Sequence, residues 1–173
     1  MKRAAFTLVE ILVVLAVVGV LAAVSVPVYG RVAESGRAAK CVSNLRQLGV
    51  ALGLYLGEHN LTMPTLLSGR TNAAEEGACI DNTLDAYAGG KAIFACPSDH
   101  GEAQRSGTSY YWNVALNGQP TSRLNFFLNY KQTEIPILSD KAAYHPNLEN
   151  KVNFLYVDGH VEKTLSFYTN GQP

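Results

Sequence analysis

The sequence predicts an α+β fold in which one long N-terminal helix packs on a small antiparallel sheet near the C-terminus. One indication is the uneven distribution of apolar residues, since 21 of the 26 residues at positions 4–29 are apolar. Another is the hydrophobic periodicity, which is helical after position 31 and strand-like after position 109. A chain of 173 residues has room for one domain and such an appendage.

The N-terminal segment is long and apolar enough to cross a membrane. Residues 11–30 carry no charge, and about 20 apolar residues in a helix span the ~30 Å hydrocarbon core of a bilayer. Lys2 and Arg3 precede the segment, so the positive-inside bias predicts a cytoplasmic N-terminus and an extracytoplasmic domain. This composition excludes an ordinary cytosolic enzyme, a disordered chain and a multi-span membrane protein.

The charges and motifs of the chain argue against two further classes of function. Its 14 basic and 14 acidic residues give a net charge of zero without a run of like charge, so no basic patch points to nucleic acid. The sequence lacks a G-x-S-x-G elbow, a phosphate-binding glycine loop and an H-E-x-x-H zinc motif. We therefore expect a protein that is not an enzyme.

Glu10 is the one charge within the apolar segment, and a carboxylate at mid-membrane costs about 2.5–3.5 kcal/mol. It either lies near the interface, where its side chain reaches water, or has a function. The run AFTLVEIL at residues 5–12 resembles the processing site of type IV prepilins and type II secretion pseudopilins. The resemblance implies cleavage by a prepilin peptidase between Ala5 and Phe6, and N-methylation at Phe6. Ala5 occupies the position at which the family has Gly.

The resemblance also assigns Glu10 and Pro27 to filament assembly. The ammonium at Phe6 of one subunit would pair with Glu10 of a neighbour, which relieves part of both desolvation penalties. Pro27 lies where the family has a proline, and it predicts a kink around residues 23–27 because it has no N–H to donate. The implied partners are further copies of the chain, related pseudopilins, the prepilin peptidase and an inner-membrane assembly platform.

One continuous helix is predicted from Phe6 to about Glu58. Its second half has apolar residues at spacings of three and four, which indicate a core-facing stripe: Val42, Leu45, Leu48, Leu52, Tyr55 and Leu56. Polar residues fall on its other faces: Glu34, Arg37, Lys40, Arg46 and Gln47. The predicted organisation is a leader at 1–5, a transmembrane half-helix at 6–30, an amphipathic half-helix at 31–58 and an extracytoplasmic domain at 59–173.

The domain should contain few regular elements before its strands. Residues 62–107 are rich in Gly, Asn, Ser and Thr and predict loops, with a short helix at 83–87. Strands are predicted at residues 109–114, 135–139, 152–157 and 161–167. Asp158-Gly159 between the last two strands predicts a hairpin with a two-residue type I′ turn, which needs positive φ at both positions.

Two internal segments narrow the resemblance to a subgroup of pseudopilin-like proteins. They are Cys41 to Gly49 (CVSNLRQLG) and Cys96 to Asp99 (CPSD). That subgroup ends in a His, nine residues and Asp-Gly. This chain keeps Asp158-Gly159, but Leu148 stands where the His is expected, and the nearest upstream histidine is His145.

Cys41, Cys79 and Cys96 allow one disulfide and leave one thiol, and disulfides persist outside the cytoplasm. A Cys79–Cys96 bond closes a short loop, worth ~3 kcal/mol by chain entropy. A Cys41–Cys96 bond is the rival, because those two cysteines lie in the segments that carry the subgroup resemblance.

No metal site and no cofactor are predicted from the pattern of the residues. Cys96 and His100 have a ligand-like spacing without a second Cys/His pair. Calcium, which some major pseudopilins hold in a C-terminal loop, is the alternative. Its oxygen ligands would come from a dispersed set: Asp140, Asn147, Glu149 and Asp158.

The sequence therefore predicts a structural subunit, a pseudopilin of a type II secretion system or a related type IV pilus-like filament. It would be a single-pass protein of the bacterial inner membrane with a periplasmic domain and filament. A type IV pilus or DNA-uptake subunit has the same architecture. The alternative from another class is a secreted or anchored binding domain, cut near Val24, with Tyr110, Tyr111 and Trp112 as a binding run.

Overall fold

The structure, a computed structural model, describes residues 7–124, 134–145 and 152–163. Its first element is a 51-residue helix, α1 (Leu8–Glu58). A four-stranded antiparallel sheet follows toward the C-terminus. The predicted α+β class is therefore confirmed, with the long helix at the N-terminus and the small sheet packed against its second half.

The first half of α1 stands apart from the rest of the protein. Every large apolar side chain from Leu8 to Val32 is more than half exposed. The helix contains an 18-residue stretch with a mean hydropathy of 2.9, none of which is buried in the protein. By length and composition this part of α1 can cross a membrane, and its apolar surface has no cover among the described residues.

The second half of α1 forms the core of the domain. Leu45, Leu48 and Leu52 are buried, and Tyr55 and Leu56 are partly buried against the same core, so these five positions of the predicted stripe are confirmed. Val42, the sixth, is half-buried and is not part of that core. Gly49 lets the helix approach the sheet closely: an added Cβ would lie 3.4 Å from Leu155 Cδ2. The assignment of Glu34 to a polar face is wrong, because Glu34 is buried.

Local hydrogen bonds and backbone conformations determine where α1 begins and ends. Thr7 is the N-cap, and it forms a capping box with Glu10. The helix ends at Glu58, after which Asn60 (φ 51°) and Leu61 (φ 54°) have left-handed backbone conformations that turn the chain away. The helix continues without interruption through Pro27.

The sheet is a meander in which sequential strands are neighbours. Its strands are β1 (Tyr110–Trp112), β2 (Pro136–Asp140), β3 (Phe154–Tyr156) and β4 (Val161–Glu162). All four fall within or overlap the predicted runs, and residues 164–167 of the last run lie outside the described residues. Tyr110 and Trp112 are buried while Tyr111 is 44% exposed, so the aromatic run alternates across the strand.

The turn between β3 and β4 differs from the predicted type I′ turn. The Gly159 N–H donates to the Tyr156 carbonyl (2.9 Å), and the Tyr156 N–H donates to the His160 carbonyl (3.0 Å). The loop is therefore three residues long, and only Gly159 has a positive φ, at 88°. A three-residue loop with a left-handed Gly needs a positive φ at one position, whereas a type I′ turn needs it at two. Asp158 therefore does not have to adopt a positive φ.

Short helices interrupt the loop region at residues 62–107. They are α2 (Ile80–Thr83), a 3₁₀ turn (Lys91–Phe94) and α3 (Glu102–Ser106). The predicted helix at 83–87 is thus wrong in position. The helix begins earlier because the Asn82 side chain accepts a hydrogen bond from the Cys79 N–H (2.8 Å) and caps that turn.

A polar cluster joins α3 to the end of β2. The Lys141 ammonium, on a side chain that is 3% exposed, donates to Ser106 Oγ (2.7 Å) and to Glu102 (3.2 Å). Arg105 also contacts Glu102. The Arg105 hydrogen bond, followed by those from Lys141 and Ser106, lowers the pKa of the Glu102 carboxyl against a smaller effect of burial.

Glu102→Gln is expected to reduce stability at neutral pH and to have less effect in acid. A carboxyl whose pKa is lowered on folding contributes stability above its unfolded pKa of about 4.3, and that contribution is lost as the pH falls through the folded pKa. The partly exposed pair with Arg105 contributes ~0.2–1 kcal/mol, and the pair with the buried Lys141 contributes more, because its loss leaves a buried charge with fewer partners. The measurement is thermal unfolding of the detergent-solubilised chain at pH 7 and pH 3.

The gap in melting temperature between wild type and Glu102→Gln should narrow in acid. Glu76→Gln, at an exposed position, is the control. A gap that is as large at pH 3 as at pH 7 would contradict the assigned role of the Glu102 charge.

Candidate assembly segment and buried thiol cluster

The N-terminal segment presents Glu10 at the start of the exposed apolar helix. Its carboxylate accepts hydrogen bonds from the Thr7 N–H (2.8 Å) and from Thr7 Oγ1 (2.9 Å), while the Glu10 N–H donates to Thr7 Oγ1 (3.3 Å). Both of these hydrogen bonds end on Oε2, and among the residues that the structure describes none ends on Oε1. Ala5 and Phe6 lie outside the described residues, and cleavage between them stays a prediction.

The capping box gives Glu10 a structural role that the resemblance did not include. The spacing Thr-x-x-Glu before an apolar run is the sequence signature of such a cap, so the signal was present at Thr7 and Glu10. Capping explains a Glu or Gln at this position, but it does not by itself explain a charge there. The two roles are therefore separable by substitution.

Three buried donor side chains meet inside the domain, from parts of the chain that are far apart in sequence. Cys41 comes from α1, Cys96 follows the 3₁₀ turn, and His145 follows β2. Their Sγ and ring nitrogen atoms all lie within 4.8 Å of one another. The residues are 0%, 3% and 1% exposed. We call these three residues the thiol cluster.

His145 is oriented within the thiol cluster by Glu34. Its Nδ1 lies 2.8 Å from a Glu34 carboxylate oxygen, and its Nε2 lies 3.5 Å from Cys96 Sγ. Glu34 also accepts hydrogen bonds from Arg37 Nε (2.9 Å) and Ser98 Oγ (3.0 Å). Burial of Glu34 is thereby compensated by hydrogen bonds and by one positive charge.

Polar groups of the sheet surround Cys41 on the other side of the thiol cluster. Its Sγ lies 3.5 Å from Asp140 Oδ1 and 3.5 Å from the Tyr110 hydroxyl. Asp140 Oδ2 accepts hydrogen bonds from the backbone N–H of Asn153 (2.8 Å) and from its side chain (2.7 Å). Burial raises the pKa of Asp140 against these hydrogen bonds, and burial followed by the Cys41 thiol raises the pKa of Tyr110.

The two segments that carry the subgroup resemblance meet at this place. Asn44 Nδ2 donates to the Ala95 carbonyl (2.9 Å), one residue before Cys96. The Asp99 carboxylate accepts backbone N–H groups at the start of α3, from residues 101 to 103, at 2.7–3.0 Å. Ser109 Oγ donates to Asp99 (2.5 Å) and accepts from the Cys96 N–H (2.9 Å). These hydrogen bonds hold Cys96 against α1.

The predicted cysteine chemistry is only partly resolved by this geometry. The three thiols are free, and the structure brings Cys41 to Cys96. Cys79 is not part of the thiol cluster; it is buried at the start of α2. The His100 side chain, which has a ligand-like spacing from Cys96, is exposed and lies outside the cluster.

The oxygen ligands suggested for calcium are only partly described. Asp140 is buried at the end of β2 beside Asn153. Asp158 lies in the turn after β3, and β3 pairs with the opposite end of β2 through Tyr156. The two carboxylates are thus separated along the sheet. Asn147 and Glu149 lie outside the described residues, and calcium binding stays a prediction.

Comparison with known proteins identifies the N-terminal segment. Residues 1–26 match the family model of the prokaryotic N-terminal methylation motif. Neither a curated protein nor a solved structure matches the chain. The matched range covers the predicted cleavage site and Glu10, and it overlaps the exposed half of α1. The chain therefore carries the N-terminal methylation motif that is the hallmark of type IV prepilins and pseudopilins.

Proposed function

We propose that this protein is a pseudopilin of a type II secretion system or a subunit of a related type IV pilus-like filament. The observation that carries the proposal is the overlap of the methylation motif with an uncovered apolar helix. The motif spans residues 1–26, and the large apolar side chains from Leu8 to Val32 are more than half exposed. Such a helix needs lipid before assembly and other helices after it.

In this proposal the prepilin peptidase removes residues 1–5, and with them Lys2 and Arg3. The new amino group at Phe6 then lies one residue before Thr7, which caps α1. The chain waits in the inner membrane with its domain outside and enters a filament through the first half of α1. The second half of α1, which is built into the domain core, transmits the position of the helix to the domain.

Glu10 and Pro27 would act in assembly. Glu10 is exposed, and within residues 7–124, 134–145 and 152–163 no hydrogen bond ends on its Oε1 atom, so the ammonium of a neighbouring subunit could reach it. One polar contact would then set the register of an otherwise uniform apolar bundle, as single buried polar residues do in coiled coils. The proposed partners are copies of the chain, related pseudopilins, the peptidase and the assembly platform, and no catalytic role is assigned.

The experiment that tests this proposal is the mass and N-terminal sequence of the chain expressed with and without a prepilin peptidase. We expect a chain that begins at methylated Phe6 only when the peptidase is present. Ala5→Gly is the matched variant and should be cut at least as fast, because it restores the residue usual in the family. A chain that begins near Val24, or one that is never cut, would contradict the proposal.

A further inference from the structure

We propose that the thiol cluster is a metal site, in which Cys41, Cys96 and His145 bind one thiophilic divalent ion of the zinc type. The inference is independent of the proposed filament function, since it rests on the interior of the domain. Thiolate and imidazole are the ligands that zinc prefers in proteins, and two Cys with one His are a known zinc donor set.

The distances between the donor atoms suit such an ion. Zn–S bonds of about 2.3 Å and Zn–N bonds of about 2.0 Å at tetrahedral angles place neighbouring sulfur and nitrogen ligands about 3.5 Å apart. The separation of Cys96 Sγ from His145 Nε2 is 3.5 Å, and all three donor atoms lie within 4.8 Å of one another. No large movement of the backbone is needed to bring them around one ion.

His145 already lies within hydrogen-bonding distance of a carboxylate, as metal-bound histidines usually do. A ligating imidazole usually donates its second N–H to a carboxylate, which fixes the tautomer and the ring orientation. Glu34 lies 2.8 Å from Nδ1. With the proton on Nδ1, the lone pair of Nε2 points to Cys96 and into the cluster. Glu34 is held in turn by Arg37 and Ser98.

Asp140 would supply the remaining ligand of a four-coordinate ion. Its Oδ1 lies 3.5 Å from Cys41 Sγ, while its Oδ2 is held by two hydrogen bonds from Asn153. Asp140 is 4% exposed. A carboxylate oxygen is an accepted zinc ligand, and a short movement of Oδ1 past the sulfur would complete the set.

The balance of charge is consistent with a divalent ion. Binding releases one proton from each of Cys41 and Cys96, and the two thiolates form bonds to the ion. One dication thus replaces two protons, and the net charge of the buried site does not change. Neither sulfur is left as an uncompensated buried anion, which would be costly.

A disulfide between Cys41 and Cys96 is the competing chemistry in an oxidising compartment. The disulfide would use two of the three donors. His145 Nε2 would then face a sulfur atom that carries no hydrogen and cannot donate a hydrogen bond to it. A metal ion uses all three donors and the orientation that Glu34 imposes. It would also tie α1 to two separate loops of the domain.

The test uses the full chain in detergent, stripped with a chelator and titrated with Zn²⁺ alone. We expect one zinc per chain by elemental analysis and native mass spectrometry, and three reactive thiols after unfolding in chelator. Cys41→Ser, Cys96→Ser and His145→Ala should lose stoichiometric zinc. Cys79→Ser is the matched control and should keep it, because Cys79 is buried outside the cluster.

Two further measurements do not depend on the folding of the ligand variants. Co²⁺ added to the stripped wild-type chain should give the sulfur-to-cobalt absorption and the visible spectrum of a tetrahedral thiolate site. Glu34→Gln should weaken zinc binding about 10- to 100-fold, as for other groups that orient a ligand.

Three results would overturn the metal site. One is a zinc-free chain lighter by two hydrogen atoms, which would show a disulfide, and any disulfide among the three cysteines uses Cys41 or Cys96. Another is a chain with three free thiols that takes up no Zn²⁺ and shows no cobalt–thiolate absorption. The third is full retention of zinc by a chain in which both Cys41 and Cys96 are Ser.

Discussion

Glu10→Gln is expected to abolish the entry of the chain into filaments while leaving its insertion in the membrane intact. Gln keeps the capping box, because its side-chain oxygen accepts the Thr7 N–H as Glu does. It removes the negative charge that would pair with the ammonium of the neighbouring subunit. Removing one partner of a buried pair costs about 3–5 kcal/mol, which is more than a hundredfold in each association constant.

Thr7→Ala is the matched control for the two roles of Glu10. It removes the N-cap hydroxyl, at a cost of about 1 kcal/mol to the helix end, and leaves the charge in place. We expect this variant to assemble. Filaments of Glu10→Gln in wild-type amounts would show that the charge is not needed. Loss of assembly in Thr7→Ala alone would reduce Glu10 to a capping residue.

Leu48→Ala is expected to destabilise the domain by about 2–5 kcal/mol. Leu48 is fully buried in the core where α1 meets the sheet, and truncating such a side chain loses its transfer free energy and leaves a cavity. Fluorescence of Trp112 is a suitable probe of unfolding, because it is the one tryptophan of the chain and is buried in β1. The signal therefore reports on the domain and not on the membrane half of α1.

Val50→Ala, two residues further along α1, is the matched control. Val50 is 65% exposed, so its truncation should change the free energy of unfolding by less than about 0.5 kcal/mol. Equal effects of the two substitutions on the Trp112 transition would contradict the assignment of this half of the helix to the domain core. The expected loss of about 2–5 kcal/mol in Leu48→Ala would also show that the second half of α1 unfolds together with the rest of the domain.

The local features of the fold could be predicted from the sequence because each leaves a periodic pattern. The stripe on α1 recurs at helical spacing, and Leu45, Leu48 and Leu52 are buried as expected. The strands follow from short β-rich runs. The predicted type of the turn between β3 and β4 is wrong because Asp-Gly is compatible with loops of two or three residues. Only the pairing of Tyr156 with His160 shows that the loop has three.

The thiol cluster could not be predicted, because its members are brought together by tertiary packing. Glu34 looked like a solvated residue of α1, since the histidine that it binds lies 111 positions away. The cysteine nearest to His145 in the sequence, Cys96, lies 49 positions away. The available signal was the presence of two cysteine-containing segments in one subgroup pattern together with an upstream histidine. Cys41 and Cys96, one from each segment, meet in the cluster, and Asn44 donates to the Ala95 carbonyl next to Cys96.

His145 also bears on the incomplete C-terminal motif. The sequence has Leu148 where the subgroup has a histidine. The structure places His145 in the core beside Cys96. A buried histidine next to the Cys-Pro-Ser-Asp segment is therefore present, although its spacing to Asp158 differs from the subgroup pattern.

Recovery of the wild-type chain in polymers is the most direct test of its proposed role as a filament subunit. Cells should supply a prepilin peptidase and an inner-membrane assembly platform, and sheared or solubilised material should be separated by size. We expect polymers built from chains that begin at Phe6, and none when the peptidase is omitted. A processed chain that stays monomeric in the membrane, with a functional assembly platform present, would contradict the proposed role as a filament subunit.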